Sequence, residues 1–227
     1  VPNYTARPID VSYRARRVPA WLGEFGQEKW IIGDKFRSDA EAYGLVCDIE
    51  MSEDSRIYGE DWISFVANSK AVIGTESGAS FVDYDGQTQI AVEAFQKENP
   101  SAPFAEIQRR FLGGDGETTI HVISPRCFEA AALRTLMILY PGTYSGALVP
   151  GRHYVVLERD HSNMSEVVDI IRDPSRAQQI IDAAYNEVAR SPQWTFRSAI
   201  AHFDAVVTEE FNRAQLQRPS RMSAGVP

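Results

Sequence analysis

The sequence predicts an α/β fold: a doubly wound, mostly parallel sheet with a helical insertion and three C-terminal helices. Three observations carry this. Short apolar runs alternate with amphipathic stretches, the order expected of parallel βαβ units. The alternation breaks once, in a polar stretch rich in Gly, Ser and Asp at residues 75–118. The last third of the chain then ends in three successive helical patterns.

The first strand is Ile9-Asp-Val-Ser-Tyr-Arg14, with Arg16 and Arg17 directly after it. A helix over 27–43 follows from Trp30, Ile31, Phe36, Ala40 and Tyr43 near helical spacing, despite Gly33. Gly44 is its stop, in the position of a C-terminal cap glycine. Residues 45–49 form a second short strand and 52–59 a polar loop. Trp62, Ile63, Phe65 and Val66 place an amphipathic helix over 60–70, and 71–74 is a third strand. The insertion carries two helices, 88–98 and 103–112, separated by Asn99-Pro100.

The pattern resumes with a short strand at 119–123 and a helix at 125–134, where Pro125 sits early and its missing N–H costs nothing. Residues 135–140 are a buried strand, 141–150 a turn-rich loop, and 153–157 another strand. Helices at 163–172, 175–190 and 196–213 complete a single domain over 1–214, with a flexible tail at 215–227. Leu136, Ile138, Val155 and Val156 are expected deep in the core.

Composition narrows the function. Apolar residues are 44% of the 227, enough to fill a core, which excludes a disordered or disulfide-stapled chain. The net charge of −8 makes a nucleic-acid partner a poor fit, since no overall positive field draws phosphates. It leaves room for a local basic pocket around one anion. Cys47 and Cys127 lie in apolar surroundings and are expected as unpaired thiols; no Cys/His spacing suits a metal. No apolar run is long enough for a transmembrane segment and no signal-peptide pattern is present, so the expected location is cytoplasmic. The chain begins at Val1 without an initiator Met and is expected to be part of a longer protein.

In a doubly wound sheet, ligands bind beyond the carboxyl ends of the strands, where the strand order reverses. Four loops therefore hold the candidates. Arg14, Arg16 and Arg17 leave the first strand together and either hold a phosphate or form a solvated charged loop. Gly74-Thr75-Glu76-Ser77-Gly78-Ala79-Ser80 has the small residues that let a backbone approach a ligand, but it is neither a Walker loop nor a Gly-x-Gly-x-x-Gly turn. Glu76 there is a ligand-contacting acid or an ordinary surface carboxylate. Ser124, Arg126 and Glu129 open the helix at 125–134, whose N-terminal N–H groups suit an anion. Glu129 stands in an Ala-rich stretch, so it faces out or accepts hydrogen bonds from ligand hydroxyls. The turn at 141–146, with Tyr144 and Ser145, is a fourth candidate or plain turn chemistry. The four histidines have no metal-ligand spacing, and no Gly-x-Ser-x-Gly is present.

Ile123-Ser-Pro-Arg-Cys-Phe-Glu-Ala-Ala-Ala-Leu-Arg-Thr-Leu-Met-Ile138, then Gly142-Thr-Tyr-Ser-Gly146 and Pro150, then His153 to Asn163, resembles the C-terminal donor-binding domain of GT-B glycosyltransferases. The similarity is to bacterial group 1 and spore-maturation-type enzymes. It is close over 124–211 and looser over 9–74, where it rests on strand order. The resemblance implies a Rossmann-like domain that takes a nucleotide-sugar as substrate, with no cofactor, in surface polysaccharide or glycan synthesis. It implies Glu129 on the ribose, Ser124 and Arg126 near the diphosphate, and the loop 142–146 by the sugar or phosphates. It also implies that the last helix crosses back to an N-terminal acceptor domain, which these residues lack, so this chain would be half an enzyme needing that domain or a partner chain. Retaining members carry a second glutamate eight positions before the first; His121 stands there. The competing reading is a non-catalytic α/β module that binds a nucleotide or a partner without turnover. A third, an epimerase or dehydrogenase, lacks the glycine fingerprint after Arg14.

Overall fold

Val11, Ala71 and Ile138 sit at the middle of three adjacent strands and are inaccessible to solvent, which fixes where the core lies. The computed structural model describes residues 1–216. Residues 1–189 form one compact unit, and residues from Arg190 onward a second.

The first unit is built on five parallel strands. They are β1 (Ile9–Arg14), β2 (Cys47–Glu50), β3 (Ser69–Gly74), β6 (Leu136–Leu139) and β7 (Val155–Val156), in the order β2-β1-β3-β6-β7. Two further strands, β4 (Ser77–Ala79) and β5 (Ile120–Val122), stand apart as an antiparallel ribbon. The helices are α1 (Gly23–Glu41), α2 (Gly59–Ala67), α3 (Gln87–Glu98), α4 (Phe104–Phe111), α5 (Pro125–Ala132), α6 (Met164–Arg172) and α7 (Pro174–Ala184), followed by a π turn at Tyr185–Ala189. The fold is a doubly wound, Rossmann-like α/β sheet, as the alternation of elements predicts.

The side chains of the sheet alternate between two faces, as a pleated strand requires. Val11, Tyr13, Ile49, Ala71, Ile73, Leu136 and Ile138 pack against Ile32, Phe36 and Ala40 of α1, Val167 and Ile171 of α6, and Ala177 and Ile181 of α7. Ser12, Val72 and Met137 point to the other face, towards α2 and α5. The buried Tyr4 and Arg7 anchor the segment before β1. The Tyr4 hydroxyl donates to the Ile171 carbonyl, and the Arg7 guanidinium donates to the Ser69, Leu133 and Arg134 carbonyls and to Thr135 Oγ1. Asp173 caps α7 by accepting from the N–H groups of Ser175 and Arg176, with Pro174 in the first position.

Two expectations are corrected. Residues 119–123 form no strand of the parallel sheet: β5 pairs antiparallel with β4, in the register Ser77↔Val122, Gly78↔His121 and Ala79↔Ile120. The reason is burial. Ile120 and Val122 stay exposed, whereas Leu136 is fully buried and takes the place beside β3 through Ala71↔Leu136. Gly78 permits the ribbon, since its φ of +149° suits glycine and a Cβ there would run into the Ile120 carbonyl oxygen. Val156 is only half-buried, because β7 is the two-residue edge strand. Leu136, Ile138 and Val155 are buried.

The insertion builds its own small core from Ala20, Val92, Ile107 and Leu112, flanked by Trp21, Phe81, Phe95, Phe104 and Phe111. Asp115 clasps it to the start of α1: its carboxylate accepts from Ser80 Oγ (2.6 Å), the Glu24 N–H (3.0 Å) and Gln108 Nε2 (2.9 Å).

In the second unit, Ser191 caps the turn Pro192–Trp194, and α8 (Phe196–Leu216) follows. Phe196, Ile200, Phe203, Val207 and Phe211 are exposed along α8 at three- and four-residue spacing. Most of the tail expected at 215–227, residues 217–227, lies outside the described residues. Among the described residues, no helix is long and apolar enough to cross a membrane.

Candidate functional site

Strand order reverses between β1 and β3: β2 lies to one side of β1, and β6 and β7 lie beyond β3. At the carboxyl ends of these two strands, where a doubly wound sheet opens a crevice, lies a cavity of about 610 Å³. Its walls come from β1 and the residues after it, from α1, α2 and α5, and from the loops 55–59 and 74–77.

One wall is positive. Arg16 is exposed at the mouth, Lys29 of α1 is half-buried, and Arg126 is in the first turn of α5. Among the described residues none of the three is in an ion pair. Burial pushes the Lys29 ammonium below its ordinary pKa, and the charges of Arg126 and Arg16 add to the shift. The Arg126 guanidinium donates to the Arg14 carbonyl oxygen and lies over the rings of Trp62 (5.1 Å) and Tyr13 (6.0 Å). Three uncompensated cations within one another's field repel, and an anion between them relieves that repulsion. Pro125 opens α5 and no side chain caps its first turn, so the Ser124 hydroxyl remains available beside the positive end of the helix.

A carboxylate lines the same cavity. Glu129, one turn into α5, is half-buried, and its Oε2 accepts from Trp62 Nε1 at 2.8 Å. Oε1 has no hydrogen-bond partner among the described residues. Below lies an apolar floor of Val66, Val72, Met137 and Leu139. Ser12 also lies here, fully buried, with a hydroxyl that has no hydrogen-bond partner among the described residues. The arrangement can hold a ligand with an anionic end, hydroxyls next to it, and a less polar body.

The cavity brings together Ser124, Arg126, Glu129, Arg14, Arg16, Thr75 and Ser77 from the candidates. Within this group Arg14 is already occupied: its guanidinium donates to Asp48 Oδ1 (2.8 Å) and to the Asp48, Ser55 and Tyr13 carbonyls, and lies 4.3 Å over the Phe65 ring. It binds β1 to β2, and the cations without an ion pair among the described residues are its neighbours. Arg17 turns away to Asp34 and stacks over Trp30.

Glu76, Tyr144 and Ser145 stand outside the cavity walls. Glu76 is buried; it accepts from Thr143 Oγ1 (2.9 Å) and the Tyr144 N–H (2.6 Å), and lies 3.1 Å from His121 Nδ1. A Cβ at Gly142 would strike that carboxylate, so the turn needs glycine there. The Tyr144 hydroxyl is spent on the Tyr140 carbonyl, and Ser145 Oγ accepts from the Ile123 N–H. These residues hold the turn 141–146 against the ribbon. His121 packs on Phe25 with ring centroids 4.4 Å apart.

Sequence reading missed Lys29 and Trp62 as site residues. Both looked like ordinary members of helical patterns, and only the packing of α1 and α2 around β1 brings them to the crevice. Cys47 and Cys127 are both free, as expected; burial pushes their thiols up to about 11 and about 12, so both stay protonated near neutral pH. Among the described residues no cluster of His, Cys, Asp and Glu could hold a metal ion.

No protein-family model matches the chain, and no curated protein matches it in sequence. Among the solved structures similar to this chain is the crystal structure of TarM, a glycosyltransferase, at 11% identity and a TM-score of 0.44 over 87% of this chain. The match spans 34% of the TarM chain, about a third of its length.

Proposed function

We propose that the chain is the donor-binding half of a glycosyltransferase and holds a nucleoside diphosphate-sugar in the cavity between β1, β3, α2 and α5. The observation that carries this reading is the presence of two unlike groups, cations and a half-free carboxylate, in the lining of one crevice. Arg16, Lys29 and Arg126 line the cavity without an ion pair among the described residues, and Glu129 lines it with one carboxylate oxygen free. A diphosphate neutralises the first, and ribose hydroxyls donate to the second. The cavity volume suits a ligand of that size. The sequence similarity around residues 123–132 supports the same assignment of Glu129.

In this reading the chain binds and orients the donor. Lys29 and Arg126 stabilise negative charge on the departing diphosphate, and the first turn of α5 adds its dipole. The acceptor comes from an N-terminal domain or partner chain, and the apolar stripe of α8 is a surface for it.

Calorimetry of the chain with UDP, GDP, ADP, CDP and dTDP tests the reading. One of these should bind in the micromolar to low millimolar range, more weakly as salt rises. If none binds, the reading is wrong. Sugar transfer by a longer protein that includes an acceptor domain separates an enzyme from a binding module without turnover.

A further inference from the structure

Arg126 and Glu129 are three residues apart on α5, the spacing at which opposite charges on a helix pair readily. They do not pair: no ion pair joins them among the described residues. The indole of Trp62, on α2, takes both. Its N–H donates to Glu129 Oε2 at 2.8 Å, and the Arg126 guanidinium lies 5.1 Å from the centre of its ring. Trp62 is half-buried, so filling space needs no tryptophan here; phenylalanine or leucine would do that. What the indole adds is a single N–H that can only donate, together with an aromatic face for a cation.

Resting on the reading above, we propose that Trp62 is a positioning residue that keeps Glu129 and Arg126 apart, so that one carboxylate and one guanidinium stay available to the two ends of the same ligand. With the N–H in place, Oε2 is held and Oε1 is free for ligand hydroxyls. Without it, the Glu129 side chain rotates along α5 to Arg126, three residues before it on the same helix. The resulting pair cancels an acceptor and a phosphate partner together. The site's carboxylate and cation would then neutralise each other unless α2 separated them.

Inorganic pyrophosphate is the probe, because it needs Arg126 and cannot use Glu129 as a hydroxyl acceptor. Trp62→Phe keeps an aromatic ring beside Arg126 and removes the indole N–H donor along with part of the ring system. Its pyrophosphate affinity by calorimetry should fall about threefold to fivefold, the worth of one partly exposed ion pair. Adding Glu129→Gln to Trp62→Phe removes the competing charge and should return pyrophosphate affinity to that of the parent. A purely structural role for Trp62 gives no such rescue. Parental affinity in Trp62→Phe, or a double variant as weak as the single one, overturns the proposal. A parent that binds pyrophosphate but no nucleoside diphosphate defeats the functional reading alone and leaves this test readable. A parent that binds neither defeats both.

Discussion

Strand β1 presents Val11 and Tyr13 to one side of the sheet and Ser12 and Arg14 to the other, and the two sides are finished differently. On the first, α1, α6 and α7 close over Val11, Ala71, Ile73 and Ile138 with large aliphatic and aromatic side chains. On the second, α2 and α5 bring Trp62, Phe65, Ala130 and Cys127 but leave a cavity above Val72, the half-buried centre of β3. The sealed face supplies cohesion. The open face forgoes part of that burial, and there the chain keeps an unpartnered buried hydroxyl, Ser12, and three cations without counter-ions. Features that cost stability without a structural return are what the proposed donor site accounts for.

The contrast is sharpest in a pair of truncations. Phe36→Ala on the sealed face should cost about 3–5 kcal/mol, because Phe36 is inaccessible and α1 cannot collapse into the hole. Val72→Ala on the open face should cost about 1 kcal/mol or less, since the space beside it is already empty. Urea denaturation of both variants reads the difference; equal losses would mean that the open face is packed as tightly as the other.

Site substitutions should separate binding from folding. Glu129→Gln keeps the shape and should weaken nucleoside diphosphate binding by about 1.5–3 kcal/mol, roughly tenfold to a hundredfold, with an unchanged melting temperature. Binding equal to the parent's would remove Glu129 from the site. Lys29→Met keeps the apolar stem and should weaken binding about fivefold to tenfold. The same change relieves repulsion from Arg16 and Arg126, so its melting temperature should hold or rise. A lower melting temperature would show that Lys29 serves the fold instead.

The smallest expected effect belongs to the sealed side. His161 is buried between Asp39 (Nδ1 to Oδ2, 2.7 Å) and the Tyr140 hydroxyl (Nε2 to Oη, 3.0 Å). Burial pushes its pKa below the ordinary 6.5; Asp39 and Asp160 pull it up, and Lys35 pushes it further down. The unfolded chain therefore takes up this proton at higher pH than the folded one. Stability should fall as pH drops from about 6.5 towards the lower folded value, and stay level above it. His161→Gln should flatten that slope in melting curves taken between pH 7 and 5; an unchanged slope would place the titration elsewhere.

Much of the fold was legible because burial writes itself into spacing. Leu136-Met-Ile-Leu139 reads as a strand buried on both faces, and α3 and α4 fall within a residue of their expected bounds. The strand at 119–123 was misplaced because three alternating residues cannot say which sheet they join; the competition for the place beside β3 is settled by how much apolar surface each candidate buries. The start of α5 was legible in Ser124, Pro125, Arg126 and Glu129. Glu76 was singled out as an acid in a small polar loop, yet its partners, Thr143 and the Tyr144 N–H, lie far away in sequence and could not be foreseen.

The sequence alone determined the class of fold, the parallel alternation, the separate character of residues 75–118, and the start of α5 at Pro125. These follow from local rules: periodicity, capping and turn chemistry act within a few residues. Tertiary structure decided which charges are free. Arg14 and Arg16 are two residues apart and look equivalent, but β2 brings Asp48 to one of them and nothing to the other. Lys29 becomes part of the site because α1 crosses the end of β1, and Glu129 stays unpaired from Arg126 because α2 inserts Trp62 at both. A charge is spent or kept by whatever the fold places within a few ångströms of it, and that is set by contacts between segments that local sequence does not encode.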